Sequence, residues 1–478
     1  MRYKRQLLTL LPILLLTGCV PKIDKAVPLS EDTITCDIEK NINDYETADV
    51  RLVSDWWKDY NDPQLNTIID KALSNAPSLK SVEARYSQAN SIIKSVESRN
   101  MPHIAANASL IRERFSENHI FPAPLGGSTN NQYQPSLTLD YDFDFWNERS
   151  SRILAATNSA YAQKATIEAS KIALSSAICE TYLSWNFDEQ KLVLLSTLEK
   201  TTMEELSIIT KQYRLGLIDA TEINTKKAEL SQIAQRSAEL HRVIEGKKES
   251  ICVLGGFLPS YIDTMKRPHI SNTFNVPLPK EIVLNLLAHR SDVAIAKYMA
   301  LSKSHMIENA KAKFYPNISL SGLIGFTSFS WARLLDHSSY TPSAGVALSL
   351  PLLDWGERNA NLQSNVGDYN SSVYDYNQVV IKAANEVVVL IKQTKLIESQ
   401  IDLHHDDLNA KYANVSIRRK QYSLGLSNKL PLLTADKTAY ESEMEALTLD
   451  ETKSQLQIFL IKALGGGYSD KGENNATK

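Results

Sequence analysis

Lys211-Gln212-Tyr213-Arg214-Leu215-Gly216-Leu217 recurs as Lys420-Gln421-Tyr422-Ser423-Leu424-Gly425-Leu426, with six of seven positions identical. The copies lie about 209 residues apart, and a repeat at that spacing makes the whole chain a candidate duplication. Each copy ends a long stretch without proline. A glycine flanked by leucines at such a place reads as the tight turn of a helical hairpin, because glycine accepts the left-handed backbone that the turn needs. Other landmarks keep nearly the same offset. Trp146-Asn147-Glu148-Arg149 answers to Trp355-Gly356-Glu357-Arg358, Met101-Pro102-His103-Ile104 to Tyr315-Pro316-Asn317-Ile318, and Leu254-Gly255-Gly256 to Leu464-Gly465-Gly466.

Working outward from the first turn, Trp146 to Leu215 contains neither Gly nor Pro. Such a run is a helix of about 100 Å at 1.5 Å per residue. Ile153, Ala160, Ile167 and Leu174 fall at heptad spacing, as in a coiled-coil seam. Before each hairpin the hydrophobic period changes to two. Tyr133, Leu137, Leu139, Tyr141 and Phe143 alternate with Gln134, Ser136, Thr138, Asp140 and Asp142. In the second copy Ile318, Leu320, Ile324 and Phe326 alternate with polar residues, as do Ala344, Val346, Leu348, Leu350 and Leu352 with small ones. Strands of about ten residues, apolar on one face and polar on the other, suit a transmembrane barrel. The same alternation suits a half-buried soluble hairpin.

No uninterrupted apolar run is long enough for a spanning helix, so any membrane-spanning part must be β-barrel. Four strands cannot close a barrel alone. Eight would be nearly filled by side chains, whereas the twelve of a trimer leave a channel. Arg2, Lys4 and Arg5 before the apolar Leu7–Leu16 form an export signal. Leu16-Thr17-Gly18-Cys19 resembles a bacterial lipobox, which makes Cys19 the lipidated first residue of the mature chain, and Val20 favours the outer membrane. Cys36, Cys179 and Cys252 remain, an odd count that argues against a full disulfide framework. Cys179 and Cys252 read as small core hydrophobes, and Cys36 as a candidate free thiol in a polar leader. With 52 basic against 55 acidic side chains and no basic run, nothing points to nucleic acid.

The expected fold is an α+β membrane protein, internally duplicated, with long coiled-coil hairpins and four transmembrane strands per chain. Residues 1–18 are the signal and 19–50 an extended leader. Residues 51–256 form the first repeat, with strands at about 103–115 and 132–144 and a hairpin at 147–254. A linker spans 257–280. Residues 281–466 form the second repeat, with strands at about 317–328 and 343–352 and a hairpin at 356–465, and 467–478 are a polar tail. Asp62 suits a helix N-cap and Pro63 the first turn.

The chain resembles the outer membrane factor, or TolC-like, channel family in its NodT-type lipoprotein branch. The resemblance is carried by the lipobox, Trp57 through Asp62-Pro63-Gln64-Leu65, Arg290-Ser291-Asp292-Val293, Phe314-Tyr315-Pro316-Asn317-Ile318, Pro351-Leu352-Leu353-Asp354-Trp355-Gly356, the two Gln-Tyr-x-Leu-Gly turns and Ala463-Leu464-Gly465-Gly466-Gly467. It implies a homotrimer with a twelve-stranded barrel in outer-membrane lipid and a helical tunnel crossing the periplasm. The tunnel would meet a periplasmic adaptor and an inner-membrane pump of resistance-nodulation-division or major-facilitator type. It implies adaptor contact at Tyr213, Leu215, Gly216 and Leu217, and at Tyr422, Leu424, Gly425 and Leu426. The family also closes its tip with acidic residues just after the second turn. Here Thr434 stands where many relatives have Asp, and Asp436 is the nearest carboxylate and the candidate gate acid. Pro431 is unexpected so early in a returning helix, where it removes a backbone donor.

Asp140 and Asp142, with Asp144 beyond them, would line the lumen at the polar strand face. No phosphate loop, nucleophile elbow or paired-cysteine motif is present, so an enzyme is not expected, nor is a cofactor. His404-His405-Asp406-Asp407 is the one metal-like cluster, but adjacent helical positions diverge by about 100° and share an ion poorly. The expected function is a passive outer-membrane conduit for small toxic compounds. A type I protein-secretion channel and a structural coiled-coil tether remain as alternatives.

Overall fold

A computed structural model describes residues 21–29, 47–48, 54–118, 120, 122–270, 278–279 and 289–468. The signal, Cys19, Cys36, most of the leader, parts of the linker and nearly all of the tail lie outside the described residues. After a two-residue strand β1 (Thr47–Ala48) comes helix α1 (Pro63–Asn75). Asp62 caps it by accepting the N–H groups of Gln64 and Leu65 at 2.7 and 3.0 Å, with Pro63 in the first turn, where no intrahelical donor is needed. The chain continues as α2 (Pro77–Ser98), β2 (His103–Arg114), β3 (Thr129–Phe143), α3 (Glu148–Arg214) and α4 (Ala220–Gly255). The second copy follows a short β4 (Leu278–Pro279), which pairs parallel with β1. Its elements are α5 (Ser291–Ala312), β5 (Asn317–Phe326), β6 (Tyr340–Ser349), α6 (Glu357–Ser423) and α7 (Leu430–Ala463). At 67 residues each, α3 and α6 run about 100 Å. No described helix is long and apolar enough to cross a membrane.

The compact units do not follow the two sequence copies. Of the described residues, one unit gathers those within 1–28, 85–163 and 296–376, and the other those within 29–84, 164–295 and 377–478. Each therefore takes part of each copy. The reason is strand pairing: the two hairpins of strands join into one four-stranded antiparallel sheet in the order β2-β3-β5-β6.

In the sheet unit, register decides what each face presents. Ile104 pairs with Leu139, Leu139 with Gly322, and Gly322 with Ala344; one step along, Ala106, Leu137, Ile324 and Pro342 form the next row. Tyr141, Leu320 and Val346 form another row, then Phe143, Ile318 and Leu348. Because directly opposed residues share a face, these rows make one continuous apolar surface. The other face carries Asn107, Ser136 and Thr341 in one row and Asp140 and Ser321 in another. Pro135, with no N–H to donate, interrupts the β3–β5 ladder, which resumes at Tyr133 and Ser328 in the same register. The last strand ends at Ser349, ahead of Pro351, so Leu350 and Leu352 lie beyond it, contrary to the alternation read from the sequence.

The two copies interlock at the foot of the sheet. Trp146 stacks on Tyr315 at 4.7 Å and its indole N–H donates to the Pro316 carbonyl at 2.8 Å. Asn309 donates to the Glu148 carbonyl and Ser302 to the Ala155 carbonyl.

In the helical unit the core gathers Trp56, Leu65, Ile68, Ile69, Ile178, Tyr182, Trp185, Ile251, Ile458 and Ile461. Burying each such side chain contributes about 1.5–3 kcal/mol. Around Leu174–Asp188 the middle of α3 is buried on nearly every side, so its heptad stripe widens into a fully packed segment. Cys179 and Cys252 are buried free thiols there. The buried Arg290 guanidinium closes this unit, donating to the Ala463 carbonyl at 2.6 Å and pairing with Asp292 and Glu386. A Cβ on Gly465 would meet the His289 carbonyl oxygen at 1.8 Å, so that joint admits only glycine.

Candidate functional site

Both repeated turns have the same backbone. Gly216 sits at φ +68° and Gly425 at φ +70°. In the first, the Leu217 N–H donates to the Gln212 carbonyl at 3.0 Å and the Gly216 N–H to the Tyr213 carbonyl at 2.9 Å. In the second, Leu426 donates to Gln421 at 2.9 Å and Gly425 to Tyr422 at 3.0 Å. This pair of bonds is the Schellman ending, which satisfies carbonyls that a helix otherwise leaves open. It leaves the leucines outside. Leu215 and Leu217 are 74% and 69% exposed, and Leu424 and Leu426 are 71% and 76% exposed. Tyr213 and Tyr422 are exposed as well. Isolated exposed leucines are ordinary; two pairs held at helix ends by identical backbones form defined apolar knobs.

Below the turns lies a cluster of charges that sequence reasoning missed. Glu205 of α3, nearly fully buried, accepts from Lys226 of α4 at 2.8 Å and from Lys437 of α7 at 3.0 Å. Glu229 pairs with the same two lysines. Thr434 donates to Glu205 at 3.2 Å, and Lys429 pairs with Glu204. Two carboxylates and two ammonium groups thus neutralise one another across three helices. Burial pushes the Glu229 carboxyl upward, but hydrogen bonds from Lys437 and Lys226 outweigh it and hold it below the ordinary glutamate value. A signal existed: Lys437 falls among Leu432, Leu433, Ala435 and Ala439, and a lysine inside an apolar stripe demands partners.

Thr434 and Asp436 go to different neighbours. Thr434 belongs to the cluster. Asp436 is partly buried beside Arg419 at 3.7 Å, and burial raises its carboxyl above the ordinary aspartate value despite Arg419 and Lys429. Pro431 lies in the first turn of α7, where its missing N–H costs no helical bond, so the expected disruption does not arise.

On the sheet, Asp140 pairs across to His103 and Ser321, and Asp142 to Ser319, on the polar face. Asp142 is not a free charge, since the Arg149 guanidinium pairs with it. Asp144 departs from the strand reading. It lies past the end of β3 and accepts the Arg149 and Ser150 N–H groups at 3.0 and 2.8 Å, fixing the start of α3. In the His404–Asp407 run, His404 Nε2 lies 2.8 Å from the Ser442 carbonyl oxygen, and Asp407 accepts from the Ser442 hydroxyl.

A family model described as "Outer membrane efflux protein" matches residues 68–243 and 283–466. Among curated proteins, the chain is 25% identical over 484 residues to the multidrug resistance outer membrane protein MdtQ of Escherichia coli O6:H1, covering 95% of this chain and 96% of that protein. It is 25% identical over 421 residues to the multidrug resistance outer membrane protein MdtP of Escherichia coli strain K12, covering 86% of each. Among solved structures, the outer membrane protein VceC of Vibrio cholerae superposes with a TM-score of 0.80 at 25% identity, covering 87% of this chain and 100% of that one. The CmeC outer membrane channel of Campylobacter jejuni superposes with a TM-score of 0.82 at 21% identity, covering 95% and 96%.

Proposed function

The chain belongs to the outer membrane efflux protein family, and we propose that it is the outer-membrane channel of a tripartite efflux system, a passive conduit for small toxic compounds. The observation that carries this reading is the sheet. Its apolar face is exposed, with Ile104 at 68% and Val346 at 70%, and the outer edges of β2 and β6 have no partner strand among the described residues. Such a sheet is unstable in water and cannot stand open-edged in lipid. Copies of the chain resolve both problems. With an even number of antiparallel strands per chain, β6 of one copy can meet β2 of the next antiparallel, and three copies give twelve strands around a pore. The polar face, with Asp140, then lines the lumen.

In this reading the leucine knobs at the two turns meet a periplasmic adaptor, and a pump of resistance-nodulation-division or major-facilitator type supplies the energy. Cys19 carries the lipid anchor, and the mature chain is held in the bacterial outer membrane. Asp436 and Thr434 stand near the narrow end of the tunnel, where Asp436 contributes to a constriction of threefold symmetry. The test of the conduit is a planar-bilayer recording of the purified protein. Discrete ion-conducting steps are expected, and a protein that inserts without conducting would refute it. The docking role is tested separately. Leu217→Glu with Leu426→Glu should abolish adaptor crosslinking and drug efflux while the oligomer persists; intact efflux and crosslinking would remove the role.

A further inference from the structure

At the loop end of the sheet, away from the helix ends of its strands, the apolar face changes character. Along β2 the residues on that face run Ile104, Ala106, Ala108 and Leu110, then Arg112 and Arg114. Period two places both guanidiniums above the apolar band, about 7 Å apart along the strand. Arg114 is paired with Glu117 at 3.2 Å, both of them exposed. Arg112 is exposed and has no ion pair among the described residues. Glu113, between them, faces the other way.

One step along β2 from Arg112, starting at Leu110 on the same face, is a cleft of about 600 Å³ whose lining includes Ala108, Leu110, Tyr133 and Pro135 of the apolar face and Trp331 and Leu335 of the β5–β6 loop. Trp331 packs edge-on against Tyr133 at 5.5 Å but remains 71% exposed. That volume lies within the range of small-molecule sites, about 300–1,000 Å³. A mostly apolar cleft with an unpaired guanidinium two residues beyond it on the same strand face has the chemistry to take an acyl chain beneath a phosphate.

We propose that this cleft and Arg112, assisted by Arg114, form a binding site for a diphosphorylated glycolipid of the outer leaflet. The proposal rests on the channel reading in one respect: the helices leave the opposite end of every strand, so if they occupy the periplasm this end faces the cell exterior. There the leaflet is built of phosphorylated glycolipid, and the guanidiniums lie at headgroup height with the apolar band below them. The acyl chain enters between Leu110 and Trp331, and the phosphate accepts from Arg112. Charge complementarity selects the phosphate, and the aromatic wall fixes the chain.

The test is native mass spectrometry of the detergent-purified protein titrated with diphosphoryl lipid A, with dephosphorylated lipid A and phosphatidylglycerol as parallel probes. Saturable diphosphoryl lipid A adducts are expected. They should weaken about tenfold in Arg112→Gln/Arg114→Gln, the loss of one charge-assisted contact, and weaken also in Trp331→Ala. The single Arg112→Gln breaks no ion pair and gives the same reading should the double variant fail to assemble. Adducts of undiminished affinity in these variants, or equal binding of dephosphorylated lipid A, would overturn the site. Equal binding of phosphatidylglycerol would overturn the glycolipid as its occupant. The same spectra report the oligomer, which separates the two claims. An oligomer without arginine-dependent adducts rejects the lipid site alone, whereas arginine-dependent adducts on a monomer reject the channel reading alone.

Discussion

The two hairpin turns share a backbone and differ in how the returning helix is held. After Gly216, helix α4 starts with Asp219 as its cap, accepting the Thr221 N–H at 2.8 Å, and buries no residue until Ile233. After Gly425, helix α7 starts at Leu430, and Lys429 at the cap position makes no side-chain cap bond; Asn428 reaches the Leu430 N–H, at 3.1 Å. Yet α7 buries Leu432 in its first turn and packs Leu432, Ala435 and Ala439 against Val415. Both returning helices join α3 through the Glu205 cluster, α4 by Lys226 and α7 by Lys437, but α4 adds a cap of its own while α7 adds buried apolar contacts. Duplication preserved the turn because its hydrogen bonds are local, and let the helices diverge because their neighbours are not.

The largest effect expected from this difference is at Lys437. Lys437→Met leaves Glu205 buried with one ammonium partner fewer, which should destabilise by about 3–5 kcal/mol and lower the thermal midpoint of the purified protein. Lys227→Ala, on the exposed start of α4, should stay within about 0.5 kcal/mol. Equal effects would erase the contrast. Next are the glycines: Gly216→Ala and Gly425→Ala should each cost about 1–2 kcal/mol. At both positions a Cβ meets no atom within 4 Å, so strain in the backbone is the whole penalty. A clear inequality between them would mean that the turns are not equivalent. Asp219→Ala should cost about 1 kcal/mol as a lost cap. Lys429→Ala should cost roughly a few tenths of a kcal/mol, because its pair with Glu204 is solvent-exposed.

Acid should act weakly and in two directions. The Glu229 carboxyl is held below its ordinary value of 4.5, so its contribution is complete above that pH and fades as pH falls through the lowered value. The Asp436 carboxyl is raised above 3.8, so its ionisation costs stability as pH rises through that window and acid restores it. Asp436→Asn should therefore remove the compensating gain and steepen the loss of thermal midpoint between about pH 7 and pH 4. An unchanged slope would show that Asp436 does not titrate in this environment.

Much of this fold was legible from local pattern. Asp62-Pro63 marked a helix start, the alternation in β3 and β5 marked the apolar face, and the two Leu-Gly-Leu turns marked the hairpins, since each depends on neighbours a few residues away. What was not legible is pairwise and distant. The β3–β5 pairing, which divides the compact units across the copies rather than between them, depends on partners about 180 residues apart. Asp144 read as a strand residue because alternation does not reveal where a strand stops, and its role became visible only with the Arg149 and Ser150 N–H groups beside it. The Glu205–Lys226–Glu229–Lys437 cluster joins three helices, so no single stretch displays it.

The central claim is that copies of this four-stranded sheet close on one another. The direct measurement is the mass of the purified protein in detergent by light scattering, with the detergent contribution subtracted. The account predicts three chains, giving twelve strands from four. A stable single chain that stays soluble without detergent once its proposed anchor is removed would contradict it, and would make the sheet a small soluble platform rather than part of a channel.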